Sequence, residues 1–229
     1  MVTTPESLRA ACDALAAIDP AFGAAVARAG YPEPRMRERG YGTLLRTIIG
    51  QQVSVAAAAS VWRKLEERIG DLEDPANVAR ASDEDLRAAG LSRQKAGYAR
   101  SLADEVTSGR LDLAHLPEDD EEAIAQLVRV KGIGRWSAEI YLLFAEGRAD
   151  VWPAGDLAVQ IEIGRFLGHD DRPSEKTVRD LAEKWRPHRG AAAILAWHHY
   201  GFVAASRRNA GNPDDPDAAP GPKVDKAPM

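Results

Sequence analysis

Two stretches of this chain carry residue types and spacings that could do chemistry. The first is Lys131-Gly132-Ile133-Gly134, between two apolar-periodic segments. Two glycines two apart leave backbone amides uncovered at a helix start, where the helix dipole favours an anion. A nucleotide-cradling loop does not fit, because the Gly-Lys-Ser/Thr ending is missing and no strand precedes the turn. Two readings remain: a helix–hairpin–helix that grips one DNA phosphate, and a glycine-rich helix–turn–helix with no ligand. The second stretch, Val151-Trp152-Pro153-Ala154-Gly155-Asp156, ends in a carboxylate just ahead of an apolar-periodic run. Asp156 therefore occupies an N-cap position, and capping is the commoner task of such an aspartate.

Other chemistries find no support. His198 and His199 are adjacent on a helical pattern and point to different faces, so they cannot form an i, i+4 zinc pair. His115, His169 and His188 are isolated, and no Gly-x-Ser-x-Gly or metalloprotease motif is present. Cys12 is the only cysteine. That excludes an intramolecular disulfide and a Cys-ligated iron–sulfur cluster. The formal charge of −5 argues against a nonspecific nucleic-acid coat. Local clusters remain compatible with a small basic footprint: Arg28, Arg35, Arg37, Arg39 and Arg46; Arg129, Lys131 and Arg135; Arg179, Lys184, Arg186 and Arg189. The alternative is a solvated surface of mixed charge. No signal peptide and no long apolar run are found, so a soluble, cytoplasmic protein with no membrane partner is expected.

The elements that must position these stretches read as helices, since long alternating patterns are absent. The 229 residues suffice for one large domain or two small lobes. Residues 5–29 read as two short helices broken at Asp19-Pro20, with Leu8, Cys12, Leu15 and Ile18 on one apolar face. Pro32 and Pro34 make 31–34 a linker. Residues 41–69 form a helical region interrupted at Gly50-Gln51-Gln52, which marks either a functional kink or a plain surface turn. Asp74-Pro75 and Ser82-x-x-Asp85 read as helix starts. A turn follows at Gly90, then a helix capped by Ser92 that carries Lys95, Ala96, Ala99, Leu102 and Val106. Lys95 reads as a solvated lysine, with phosphate contact as the alternative. Acidic groups from Glu118 to Glu122 suit the first turn of the helix entering the hairpin. Later helices are expected at 157–168, 174–184 and 189–206, with Pro187 as a break. Trp62 and Trp185 read as core. Residues 207–229, rich in Pro, Asp, Gly and Ala, read as a disordered tail.

The hairpin Val130–Gly134 followed about twenty residues on by the Pro153-Ala154-Gly155-Asp156 loop resembles the helix-hairpin-helix/Gly-Pro-Asp superfamily of DNA glycosylases. Trp136 stands where that superfamily's lyases carry a nucleophilic lysine, and tryptophan there resembles the 3-methyladenine DNA glycosylase II branch. The resemblance spans roughly residues 5–206. It leaves no counterpart for the N-terminal β-rich domain of the best-known bacterial member, so the chain is expected to lack one.

The resemblance implies an all-α, two-lobed fold with the active site in the cleft between the lobes. One lobe would be a helical barrel of 40–148 carrying the hairpin, and the other would combine 1–39 with 149–206. It implies monofunctional removal of alkylated bases, 3-methyladenine and 7-methylguanine among them, from double-stranded DNA by base flipping, as the first step of base excision repair. Asp156 would be the catalytic carboxylate. Trp136 and Trp197 would form the platform for a cationic base. The family's tyrosine four residues after the hairpin tryptophan is replaced here by Ile140. Tyr141 follows about 100° round the helix, and both stay candidates for base contact. Gln52 would fill the gap left by the extruded base, with Gln51 and Ser54 holding its turn. Lys131, the amides of Gly132, Gly134 and Arg135, and the Ser137 hydroxyl would hold phosphate. The carbonyls of Val128, Val130 and Ile133 would donate to an alkali cation, with no other cofactor and no iron–sulfur cluster. A monomer is expected. Two rivals stay open: a noncatalytic helix-hairpin-helix DNA-binding protein, and a glycosylase for deaminated or mismatched bases.

Overall fold

The computed structural model describes residues 4–209, and every regular element among them is helical. The chain forms two compact units. One takes the chain as far as Met36 and again from Leu142 onward, and the other is Arg37–Tyr141.

The first unit opens with α1 (Pro5–Ile18) and α2 (Pro20–Ala29). Their junction is the Asp19-Pro20 pair, with proline at the first helical position and the Asp19 side chain accepting from the Ala21 amide. That satisfies one of the amides a helix start leaves without a partner. Leu8, Cys12 and Leu15 are fully buried, but Ile18 is 42% exposed, so the apolar face ends one turn earlier than the spacing suggests.

The second unit comprises α3 (Tyr41–Gly50), α4 (Val55–Ile69), α5 (Pro75–Arg80), α6 (Asp83–Ala88), α7 (Arg93–Thr107), α8 (Asp120–Leu127) and most of α9 (Arg135–Phe144). Ser54, Asp74, Ser82, Ser92 and Asp119 each cap the helix that follows through a side-chain oxygen. Leu44, Leu45, Ile48, Leu65, Leu86 and Leu102 make its core. Each contributes on the order of 2 kcal/mol on removal from water. Trp62 lies in this core with the Arg46 guanidinium 3.4 Å over its ring.

The chain returns to the first unit within α9, not after residue 148 as expected. The last turn of α9 carries Leu143, whose side chain closes on Gly190, and Leu142 O accepts from Arg148 N. Then come α10 (Leu157–Phe166), α11 (Glu175–Leu181) with a final 3-10 turn at Ala182–Trp185, and α12 (Arg189–Asn209). Trp185, fully buried, takes Phe22 edge-on at 4.9 Å and Trp152 at 5.7 Å. Helix α12 continues to Asn209, three residues beyond the expected end. Ser206, Arg207 and Arg208 do not break a helix, and a glycine and a proline stand only at 211 and 213. The remainder of the expected tail, 210–229, lies outside the described residues. No described helix is long and apolar enough to cross a membrane.

The start of α12 is pinned by charge. Arg189, 8% exposed, donates from Nε to Asp150 Oδ1 at 3.0 Å and from Nη2 to Asp150 Oδ2 at 2.9 Å. Gly190 N donates to Ala149 O at 2.8 Å, and a β-carbon on Gly190 would lie 2.6 Å from that oxygen. Asp150→Ala leaves a buried guanidinium short of its partner. It should cost about 3 kcal/mol, read as a lower urea midpoint at unchanged slope. Part of that loss should return when Arg189→Met is added.

Candidate functional site

The two chemically promising stretches fold as helix starts, each within its own unit. In the second unit, α8 ends at Leu127 and α9 begins at Arg135, with the hairpin between them. Leu127, Val130 and Ile133 anchor it from below, each less than 5% exposed, and Ile133 N donates to Val130 O at 3.0 Å. Gly132 has φ +88°, and a β-carbon there would lie 2.2 Å from the Tyr98 ring. Both conformation and space therefore require glycine. Lys131 N donates to Ser101 Oγ at 3.0 Å. Among the described residues, the amides of Gly132, Gly134 and Arg135 find no protein acceptor. Three donors at the mouth of a helix suit an anion such as phosphate.

Not every expected DNA contact fits this surface. The Arg135 side chain is bound within the protein, forking onto Glu121 at 2.5 and 2.9 Å and reaching Glu139 at 2.9 Å. These carboxylates, led by the Glu121 hydrogen bond, hold its pKa above the usual value. What Arg135 offers a phosphate is its amide. Ser137, in the first turn of α9, is buried. Arg129 and Lys131 are exposed, as expected. Much of the rest of the basic footprint is spent on the protein itself. Arg46 covers Trp62, Arg39 donates to Ala114 O, Lys184 pairs with Asp19, Arg179 with Glu175, and Arg186 and Arg189 with Asp150 and Glu183. Sequence charge counting cannot see those pairings, since one of them, Lys184 with Asp19, spans 165 residues.

Trp136, in the first turn of α9, is 42% exposed. Ile140 and Tyr141 are 4% and 2% exposed. The Tyr141 hydroxyl accepts from Gly40 N at 3.0 Å. Both therefore lie on the inward side of α9.

The Gln51-Gln52 interruption is a tight turn between α3 and α4. Gln52 is exposed and has φ +56°, the only left-handed non-glycine residue among those described. Such a conformation costs about 1–3 kcal/mol and persists only when neighbours enforce it. Gln51 Nε2 donates to Gly132 O at 2.8 Å, and Ser54 caps α4 through Ala57 N. Lys95 is not a solvated lysine: its ammonium reaches Ile49 O at 2.7 Å, and burial lowers its pKa. A lysine far along the chain gave no sign of closing this turn.

In the first unit, residues 151–154 are buried and the loop is tied down at each step. Trp152 Nε1 donates to Val178 O at 3.3 Å, Gln160 Nε2 to Ala154 O at 2.8 Å, and Asp156 N to Pro153 O at 2.9 Å. Asp156 caps α10, its Oδ1 accepting from Val159 N at 3.0 Å. The same oxygen accepts from Trp197 Nε1 at 3.0 Å. The Trp197 ring is half-buried and lies 5.6 Å from the Phe144 ring at a 34° tilt. Asp156 is therefore a cap that also accepts from an indole 41 residues further along the chain. His198 and His199 diverge as expected. His198 meets Ala29 O, and His199 is buried against Glu162.

A family model described as HhH-GPD superfamily base excision DNA repair protein matches residues 45–187. The chain belongs to that superfamily. Within it, Escherichia coli DNA-3-methyladenine glycosylase 2 is 30% identical over 192 residues, covering 78% of this chain and 65% of that protein. YfjP of Bacillus subtilis is 27% identical over 165 residues, covering 69% of this chain and 58% of its own length. This chain thus spans about three fifths of those relatives. Among solved structures, a DNA-3-methyladenine glycosidase from Bacillus halodurans superposes with a TM-score of 0.78 at 30% identity, covering 89% of this chain and 93% of that one. The matched stretch includes Val130–Gly134, where the chain turns between α8 and α9.

Gly132→Ala should lose about 2 kcal/mol or more, through a strained φ and collision with Tyr98. Thermal melts should show a smaller loss for the same change in a Tyr98→Ala background, where only the φ penalty remains.

Proposed function

We propose that this chain is a DNA glycosylase that hydrolyses the N-glycosidic bond of alkylated bases in duplex DNA. The observation that carries the reading is the geometry of Asp156: one carboxylate oxygen held by both a helix amide and the Trp197 indole. A base inside a duplex is out of reach, so the enzyme acts on a nucleotide turned out of the stack. Phosphate gripped at the Gly132–Arg135 amides and Gln52 inserted from its exposed turn would hold the duplex open. Trp136 and Trp197 are the stacking surfaces, and an indole face attracts an N-alkylated, cationic purine by about 0.5–2 kcal/mol.

An alkylated purine such as 3-methyladenine or 7-methylguanine already carries positive charge, so it leaves as a neutral base without a general acid. The C1′–N bond breaks with its electron pair going to the base, and positive charge develops on the sugar. A carboxylate about 4 Å away stabilises that charge by on the order of 4 kcal/mol at an effective dielectric of 20, roughly a thousandfold in rate. Water then adds to C1′ and gives its proton to Asp156. The products are the free base and an abasic site. Trp136 has no amine, so no Schiff base forms and the strand is not cut.

The main-chain oxygens of Val128, Val130 and Ile133 are the candidate ligands for the expected alkali cation. Among the described residues no cluster of three or more His, Cys, Asp or Glu could hold a metal ion, so a cation here would rest on main-chain oxygen. Among the described residues, Val130 O takes one hydrogen bond, from Ile133 N, and the carbonyls of Val128 and Ile133 take none. Neutral oxygens suit a hard, weakly bound ion. When bound it would supply positive charge beside the gripped phosphate.

Release of free base from methylated duplex DNA tests the reading. Asp156→Asn should reduce release at least about a hundredfold with DNA affinity retained. Trp197→Phe keeps an aromatic face but removes the N–H, and should lower kcat about tenfold with little change in KM. Borohydride should trap no covalent complex with abasic DNA. A wild-type protein that binds DNA yet releases no alkylated base overturns the reading in favour of a noncatalytic binder. Release confined to deaminated or mismatched bases would reassign the lesion.

A further inference from the structure

We propose that one side of α7 is a positioning platform that sets the Gln52 turn in register with the phosphate-binding hairpin. This rests on the glycosylase reading and adds residues to it. Three α7 residues spaced by three wind round one side of the helix, and each holds one of the two DNA-facing segments. Lys95 Nζ donates to Ile49 O, the main-chain oxygen two residues before Gln51, at 2.7 Å. The Tyr98 ring fills the space where a β-carbon of Gly132 would stand. Its hydroxyl accepts from Gln94 Nε2 at 2.5 Å, which fixes the ring. Ser101 Oγ accepts from Lys131 N at 3.0 Å. A direct strut completes the triangle, Gln51 Nε2 to Gly132 O at 2.8 Å across 81 residues of sequence.

The chemistry of each contact suits this role. An ammonium on a carbonyl at the C-terminal end of α3 is favoured by that helix's dipole. Lys95 is half-buried and its pKa lowered by desolvation, so the charge is placed there against a solvation cost. Gln52 must be held at φ +56° by something outside itself, and the contacts on Ile49 and Gln51 stand on the residues just before it. A wedge opens a base step only when the neighbouring phosphate is gripped at a fixed distance from it. Sub-ångström looseness between wedge and grip is therefore felt in flipping more than in duplex affinity. Lys95, Tyr98, Ser101 and Gln51 are accordingly positioning residues, and Gln51, expected to hold the Gln52 turn, also acts on the hairpin backbone.

The test compares wild type with Lys95→Met, Lys95→Arg and Ser101→Ala. Anisotropy with undamaged duplex gives affinity. Fluorescence of 2-aminopurine beside an abasic-analogue site gives base-step opening. Single-turnover release from methylated DNA gives kcat, and thermal melts control for folding. Lys95→Met should lower the opening signal and kcat about tenfold while duplex Kd stays within about twofold. Lys95→Arg should restore most of both, and Ser101→Ala should move both in the same direction by less. Unchanged opening and kcat in folded Lys95→Met, or losses that follow Tm and are not rescued by arginine, overturn the platform. Wild type that opens the step but releases no base defeats the glycosylase reading, and the Lys95→Met opening signal still decides the platform. Base release unaffected in Lys95→Met and Ser101→Ala defeats the platform alone.

Discussion

Arg189 and Asp150 form the contact from which the first unit's chemistry is built. A guanidinium almost closed from solvent is worth having only when both oxygens of a carboxylate answer it, and here they do. The pair fixes the first residue of α12 against the strand of coil that leads into the Val151–Asp156 loop. Gly190 then lets the α12 backbone come within 2.8 Å of Ala149 O. Two turns further along α12, Trp197 arrives within hydrogen-bond reach of Asp156 because the helix is rigid between the two points. The carboxylate's placement is therefore a consequence of packing at the other end of a helix. Buried Trp152 and Gln160 hold the loop from beneath.

The second unit solves a similar problem with neutral groups. Its hairpin must keep main-chain amides bare at a helix mouth, which a folded protein ordinarily avoids. The amides tolerate this because they stand at the surface, while Val130 and Ile133 beneath them are buried. Tyr98 packs on the glycine that makes the turn, so an aromatic ring on α7 determines which residue the hairpin can contain.

Helix boundaries were legible because they follow local rules. Asp19-Pro20, Ser92, Asp119 and Asp156 each cap the expected helix, and such signals need only four residues of context. The core was legible wherever spacing was strict, at Leu44, Leu45 and Ile48, and it failed at Ile18, where a helix end leaves the core. Residue types picked out the hairpin and the Asp156 loop, but left a ligand-free turn and a plain cap open, and only the resemblance gave them a joint role. What sequence could not supply were partners. Nothing near Lys95 announces a bond to residue 49, and nothing near Arg135 reveals that Glu121 and Glu139 have claimed its side chain. The burial of Ser137, Ile140 and Tyr141 was not legible for a related reason. They share a helix with the exposed Trp136, and only packing decides which side of α9 faces inward.

The distribution of indoles has an optical consequence. Of the five tryptophans, Trp62, Trp152 and Trp185 are sealed in the two cores, and Trp62 also has a guanidinium against its ring. Only Trp136 and Trp197 retain appreciable exposure. The protein's own emission thus divides into a shielded interior population and two accessible reporters, one in each unit, both among the residues expected to meet a base. A small aqueous quencher will reach the second population and leave the first nearly untouched. Whatever shields that accessible fraction identifies itself as a molecule seated on the hairpin tryptophan or beside Asp156.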